Sequence, residues 1–222
     1  MLFIVATPIG NLKDITLRAI ETLKNVDLIA AEDTRHTKIL LAHYGIRTPM
    51  TSYFEHNEFR KGDHLLRLLK GGKDIALVTD AGTPGVSDPG YHLIRLARDH
   101  KIPTTVVPGP SAVIAALSLS GLPPDRFLFS GFLPVKSQAR KKRLEELKNI
   151  KATLIFYESP HRLVKALEDI GTVFGNEDVE VVLAREITKK FEEVRRGEPS
   201  QLGEYFLQHR PRGEFVILIH EK

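Results

Sequence analysis

Thr79–Gly90 reads TDAGTPGVSDPG and follows directly on the apolar run Asp74–Val78. A short apolar run of this kind is a buried strand. The twelve residues after it form a loop with three glycines and two prolines. Glycine lets backbone come close to a ligand, and proline stiffens the loop that does so. Strand-to-helix connections usually take about 2–6 residues, so this one is long for a mere link. Two other apolar runs end in the same way. Leu2–Ala6 continues into ATPIGNL (Ala6–Leu12), and Thr104–Val107 continues into PGPSA (Pro108–Ala112). In an open α/β sheet, ligands sit beyond the C-terminal ends of the strands. Three rigid strand-end loops therefore point to one small-molecule pocket on an α/β fold.

Between these loops the hydrophobic pattern switches between strand and helix periods. Leu17, Ile20, Leu23 and Val26 share one helical face, with Asp14 or Thr16 available as a cap. Asp27–Ala31 reads as a strand and Thr34–His43 as a helix stopped by Gly45. Met50–Phe54 reads as a short strand. Phe59–Leu69, Gly90–Asp99 and Ser111–Ser120 read as helices. This alternation predicts a mostly parallel sheet. Two prolines in GLPPD (Gly121–Asp125) stop the last of these helices, which sets the expected boundary between an N-terminal α/β domain, 1–120, and a C-terminal α/β domain, 121–222. The second half has strands expected at Arg126–Phe129, Thr153–Tyr157, Glu180–Ala184 and Glu214–His220. A basic helix is expected before Thr153 and another helix at Arg162–Ile170, with the segment Leu202–Gln208 ahead of the last strand.

The composition narrows the function classes. At 222 residues, 42% apolar and 27% charged, the chain has the make-up of an ordinary globular protein. No apolar run approaches the roughly 18 residues that span a bilayer, and MLFIVATPIG lacks the basic start of a signal peptide. Cysteine is absent, which removes disulfides, thiolate chemistry and cysteine metal sites. These features predict a cytoplasmic protein without membrane or metal. His36, His43, His56, His64 and His92 are scattered and have no metal-ligand spacing. Neither GxGxxG nor GxxxxGK[ST] occurs, so ordinary dinucleotide and P-loop binding are not expected. The net charge of +4 permits an anionic partner without demanding one.

The chemistry-bearing residues lie at strand ends. Asp80 is placed to accept hydrogen bonds from a ribose or an amine; its alternative role is to cap the next helix. The Pro108–Ala112 loop opens a helix whose N-terminal amides suit an anionic group. Glu32 and Arg35, in EDTR, bring acid and base to another strand end; Asp33 or Thr34 there also suits a helix cap. Tyr157–Arg162 (YESPHR) and Ala184–Lys189 (AREITK) repeat the pattern in the second half. Glu158 and Glu186 are the candidate bases, and Arg185 and Lys189 the candidate cations. These groups also have a structural alternative, bracing one another. Lys136–Lys151 holds seven cations against Glu145 and Glu146. A solvated helix face is one reading. The other has Arg140, Lys141, Lys142 and Arg143 meeting RNA phosphates.

Taken in order, VATPIGNLKDIT (Val5–Thr16), AEDTRHT (Ala31–Thr37), LVTDAGTPGVSDPG (Leu77–Gly90), VVPGPSA (Val106–Ala112), FYESPHR (Phe156–Arg162) and AREITKKFEE (Ala184–Glu193) resemble the tetrapyrrole methylase-like, S-adenosylmethionine-dependent methyltransferases. The resemblance covers Phe3 to about Ile219. It implies two α/β domains with the donor in the cleft between them, and a homodimer. The donor, S-adenosylmethionine, would lie against Pro8, then Asp80, Ala81, Gly82, Thr83 and Pro84, and then Pro108, Gly109, Ser111 and Ala112, with Gly131 and Phe132 in the remaining wall. The branch resembled most implies 2′-O-methylation of a cytidine in the decoding region of small-subunit (16S) ribosomal RNA, free or in the 30S particle. Many members carry a further C-terminal helical segment, so RNA binding here is expected to use other surfaces or a pre-ribosomal particle. Two competing readings are a C-methyltransferase of tetrapyrrole precursors and a non-catalytic ribosome-assembly factor that keeps the fold.

Overall fold

The computed structural model describes residues 1–222 and divides them into two units, Met1–Ser111 and Ala112–Lys222. In the first unit five strands form one all-parallel sheet: β1 (Leu2–Val5), β2 (Leu28–Ala31), β3 (Met50–Ser52), β4 (Ile75–Val78) and β5 (Thr104–Val107). Their spatial order is β3-β2-β4-β1-β5. Every residue of β4 is buried, and its alternation assigns each side chain to a layer. Ala76 and Val78 pack with helices α1 (Leu17–Asn25) and α2 (Thr34–His43). Ile75 and Leu77 pack with α3 (Glu58–Lys70) and α4 (Tyr91–Asp99). Thr16 caps α1, its hydroxyl accepting from the Ala19 amide at 3.1 Å.

The second unit has a mixed sheet ordered β6-β7-β10-β8-β9. Its strands are β6 (Phe127–Phe132), β7 (Thr153–Glu158), β8 (Val179–Arg185), β9 (Glu193–Gly197) and β10 (Phe215–Glu221). Only β6 and β7 pair in parallel; β10 runs antiparallel to both neighbours, and β9 antiparallel to β8. One face packs Leu154, Phe156, Leu183 and Ile217 against α6 (Ser137–Lys148), α7 (Leu163–Phe174) and α8 (Pro199–Gln208). Helix α5 (Ala112–Ser120) packs on β8 and β10. Its side chains are apolar around most of its circumference. That packing puts α5 in the second unit, so the division falls ahead of the helix rather than in the GLPPD segment that follows it.

No helix is long and apolar enough to cross a membrane. Strand β9 escaped the sequence pattern. Its residues, EVRRG, are charged because it is an edge strand, where charge discourages further pairing.

Candidate functional site

The parallel register aligns the strand ends of the first unit. Ala31 pairs with Val78, and Val5 with Val107, so the loops after β1, β2, β4 and β5 leave one edge of the sheet. Backbone crossings tie them together. The Thr7 amide donates to the Gly82 carbonyl at 2.9 Å and the Gly82 amide returns to Thr7 at 3.1 Å. Gly82 holds this contact at φ +82°, a conformation that favours glycine. A Cβ on Gly109 would lie 3.0 Å from the Ala6 Cβ, so the β5 loop also needs its close approach. Pro8, Gly82 and Pro84 are buried beneath this rim, whereas Ala81, Pro108 and Gly109 are exposed on it. Thr83, Ser111 and Ala112 are half-buried.

Carboxylates converge on the same edge. The Asp80 amide donates to Glu32 Oε2 at 3.2 Å, and the Asp33 amide donates to Asp80 Oδ1 at 3.2 Å. Asp80 thus braces the β2 loop rather than capping α4, which begins at Gly90 without a side-chain cap. Burial, with Asp80 and Asp33 nearby, raises the Glu32 pKa although the Asp80 amide opposes it. Asp88 is pushed up to about 7 by burial and by Glu32 and Asp80. The sequence marked Asp88 only as part of a loop; its neighbours become visible only when the fold closes. Arg35 is 90% exposed and pairs with Asp33, whose carboxyl its hydrogen bond draws down to about 2. A small concavity opens beside these groups, lined by Thr7, Pro8, Gly10, His36, Thr37 and Asp80 among others.

The second unit has a matching row. Phe215 on β10 is paired with Glu158 on one side and Arg185 on the other, and Arg185 with Glu193. YESPHR and AREITK therefore leave the same sheet edge. Glu158 is fully buried: Oε1 pairs with Arg162 at 2.6 Å and accepts from the Ser159 amide at 2.7 Å, while Oε2 has no partner. Arg162 lies 5.9 Å over the exposed Phe132 ring. Gly131 precedes it at φ +62°. Glu186 accepts from Lys189 at 3.0 Å and from the Glu214 amide at 3.0 Å. Burial pushes its pKa up, but these partners prevail and leave it lowered. Lys189 also reaches Glu214 at 2.7 Å, and burial notwithstanding its pKa is raised. Arg185 is held by Glu193 at 3.0 Å and the Arg212 carbonyl at 2.7 Å.

The basic helix departs from expectation. Arg140 is buried and bound to Asp169, with Nε at 2.7 Å, so it is not a phosphate contact. Helix periodicity turns it inward with Leu144 and Leu147. Lys141 also reaches Asp169, at 3.5 Å. Arg143 binds Glu146 and Ser130. Of the four, Lys142 alone is an exposed cation with no carboxylate partner.

Glycine-rich loops thus leave one edge of the first unit's sheet, and a row of charged side chains leaves one edge of the second unit's sheet. Residues 1–203 match the family of Tetrapyrrole (Corrin/Porphyrin) Methylases. The chain is 51% identical over 224 residues to "Ribosomal RNA small subunit methyltransferase I" of Haemophilus influenzae, covering 100% of this chain and 79% of the relative. It is 52% identical over 219 residues to the protein of that name from Mesorhizobium japonicum, covering 98% and 74%. Among solved structures, diphthine synthase superposes with a TM-score of 0.76 at 17% identity, covering 100% of this chain and 89% of that one. The chain belongs to the tetrapyrrole methylase family. It is a methyltransferase, and its family draws the methyl group from S-adenosylmethionine.

Proposed function

We propose that this protein methylates the ribose 2′-hydroxyl of a cytidine in the decoding region of small-subunit ribosomal RNA, as a cytoplasmic homodimer acting on the RNA or the 30S particle. The observation that carries this reading is the 51% identity, along the whole chain, with a relative named for small-subunit ribosomal RNA methylation. The residues fit the donor: the bridge between Thr7 and Gly82 and the tight approach of Gly109 to Ala6 leave backbone, not side chains, at the rim. Pro8, Asp80–Pro84, Pro108, Gly109, Ser111, Ala112, Gly131 and Phe132 would hold it. When bound, the donor supplies a methyl group already activated on a sulfonium.

The chain's own task is to position the hydroxyl and receive its proton. Glu158 and Glu186 are the carboxylates proposed to receive the proton: Glu158 is buried with Oε2 unpartnered, and the more accessible Glu186 is engaged by Lys189 and the Glu214 amide. Arg185 and Lys189 are each fixed by carboxylates and serve to hold the acceptor's phosphate or oxygen. Glu32 and Arg35 are the remaining acceptor contacts. Mass spectrometry of small subunits incubated with protein and donor should find one cytidine carrying a new ribose methyl; unmodified RNA would overturn the proposal. Light scattering tests the dimer, which a monomer mass at micromolar protein would exclude.

A further inference from the structure

We propose that the loop Glu186–Glu192 is a preformed stacking platform for a base of single-stranded RNA, with Phe191 as the stacking surface and Lys190 as a phosphate contact. The proposal rests on the RNA reading above and extends it to Phe191 and Lys190, two residues given no role there.

Backbone geometry is the first observation. Glu186 and Thr188 adopt φ +50° and +68°, the left-handed region. A β-branched residue there is a genuine outlier. Such conformations persist only where the surroundings over-determine them, and they gather at binding sites. Here the surroundings do so. The Glu186 amide donates to Glu214 at 3.0 Å, and the Lys189 ammonium clamps Glu186 and Glu214. The Thr188 amide donates to Glu192 Oε2 at 2.6 Å. The Thr188 hydroxyl is buried and has no partner.

What this rigid loop presents is the second observation. Ile187 is buried and anchors it, whereas Phe191 is 64% exposed. The Lys190 ammonium stands 5.6 Å from the Phe191 ring centroid. The carboxylates nearby are engaged: Glu186 and Glu214 by Lys189, Glu193 by Arg185 and Arg195, Glu192 by the Thr188 amide. Lys190, Arg210 and Arg212 are exposed and have no carboxylate partner. The turn carrying Arg212 is joined to the loop's base through Arg185, which donates to its carbonyl. An exposed ring on a braced loop, beside cations that have no carboxylate partner, is the arrangement that binds single strands, because every base offers a face to stack and every nucleotide a phosphate. One ring among cations is too little apolar surface for a protein partner.

The test compares Phe191→Ala, Phe191→Leu and Phe191→Tyr in the full chain. Equilibrium binding is measured to a short labelled single-stranded RNA and to small ribosomal subunits. Loss of one stacked base should weaken binding about 5- to 150-fold in the Ala and Leu variants and leave Tyr close to the parent. Lys190→Gln should flatten the log–log salt dependence on the oligonucleotide by about 0.7. Three outcomes overturn the proposal: Ala binding both probes like the parent, Leu binding as well as Phe, or a parent that binds neither probe. Binding needs no turnover. A parent that binds through Phe191 yet leaves small subunits unmethylated would sink the proposed activity and leave the platform standing.

Discussion

Arg140→Ala separates a structural cation from a nucleic-acid contact. Its guanidinium is 3% exposed and faces Asp169, 7% exposed, at 2.6 Å. It also donates to the carbonyls of Pro134, Val135 and Lys165 at 3.2, 3.2 and 3.4 Å. Breaking a buried pair by removing one partner costs about 3–5 kcal/mol, since the remaining charge stays buried. Two groups soften that cost: Ser137 still donates to Asp169 at 2.8 Å, and Lys141 stands 3.5 Å away, exposed enough to move closer. The lower end, about 3 kcal/mol, is therefore expected. In a chain of this size each kcal/mol shifts melting by about 2–4 °C, so the chain should melt about 6–12 °C lower. The chain has no tryptophan, so far-UV circular dichroism is the suitable probe. Lys142→Gln on the same helix should stay within about 0.5 kcal/mol of the parent. The double change Arg140→Met, Asp169→Leu should recover most of the loss, since an apolar pair has no charge to bury. Melting within about 2 °C of the parent, with weakened RNA binding, would refute this account and restore Arg140 as a phosphate contact.

Other groups make separable predictions. Asp88, held up at about 7, keeps a proton in the folded state that the unfolded chain releases in the ordinary carboxylate range. Stability from this group is therefore full at low pH and lost as pH rises towards about 7. Asp88→Asn should accordingly gain in melting temperature over the parent at pH 8 but not at pH 4, and a gain confined to low pH would contradict the burial argument. Gly82→Ala forces a side chain to φ +82°, at a cost of about 1–2 kcal/mol, and calorimetry should find donor affinity reduced. Whichever of Glu158 and Glu186 receives the proton, its change to Gln should slow methylation by about 10²–10⁴-fold with donor binding kept; parent rates in both variants would leave positioning alone as the account.

Much of the first unit was legible because its central strands, β2 and β4, are buried on both faces. Val78 ends one apolar run and Gly90 closes the loop after it, so β4 and the start of α4 follow from composition alone. The Thr34–His43 helix likewise has its cap, Asp33, in the sequence. The second unit was harder to read. The sheet edge β9 looks polar, and the antiparallel insertion of β10 between β7 and β8 is a long-range choice with no local signal. At the site, the strand-end position of Glu158, Arg185 and Glu186 was readable from pattern. Their partners were not: that Arg162 neutralises Glu158, or that Asp169 consumes Arg140, depends on residues brought together by packing. Charge density on Lys136–Lys151 misled for the same reason, because helix periodicity turns some of its cations inward.

The central position of β10 has a consequence in time. The first sheet uses strands ending at Val107, so all of its partners exist once that stretch has been made. In the second unit β7 and β8 do not pair with each other; both pair with β10. During synthesis, at about 5–20 residues per second, those two strands wait seconds for Phe215–Glu221 with their inner edges bare. Bare edges recruit other chains. The later half of this protein is therefore the part that a holding chaperone would need to shelter, while the earlier half has already folded.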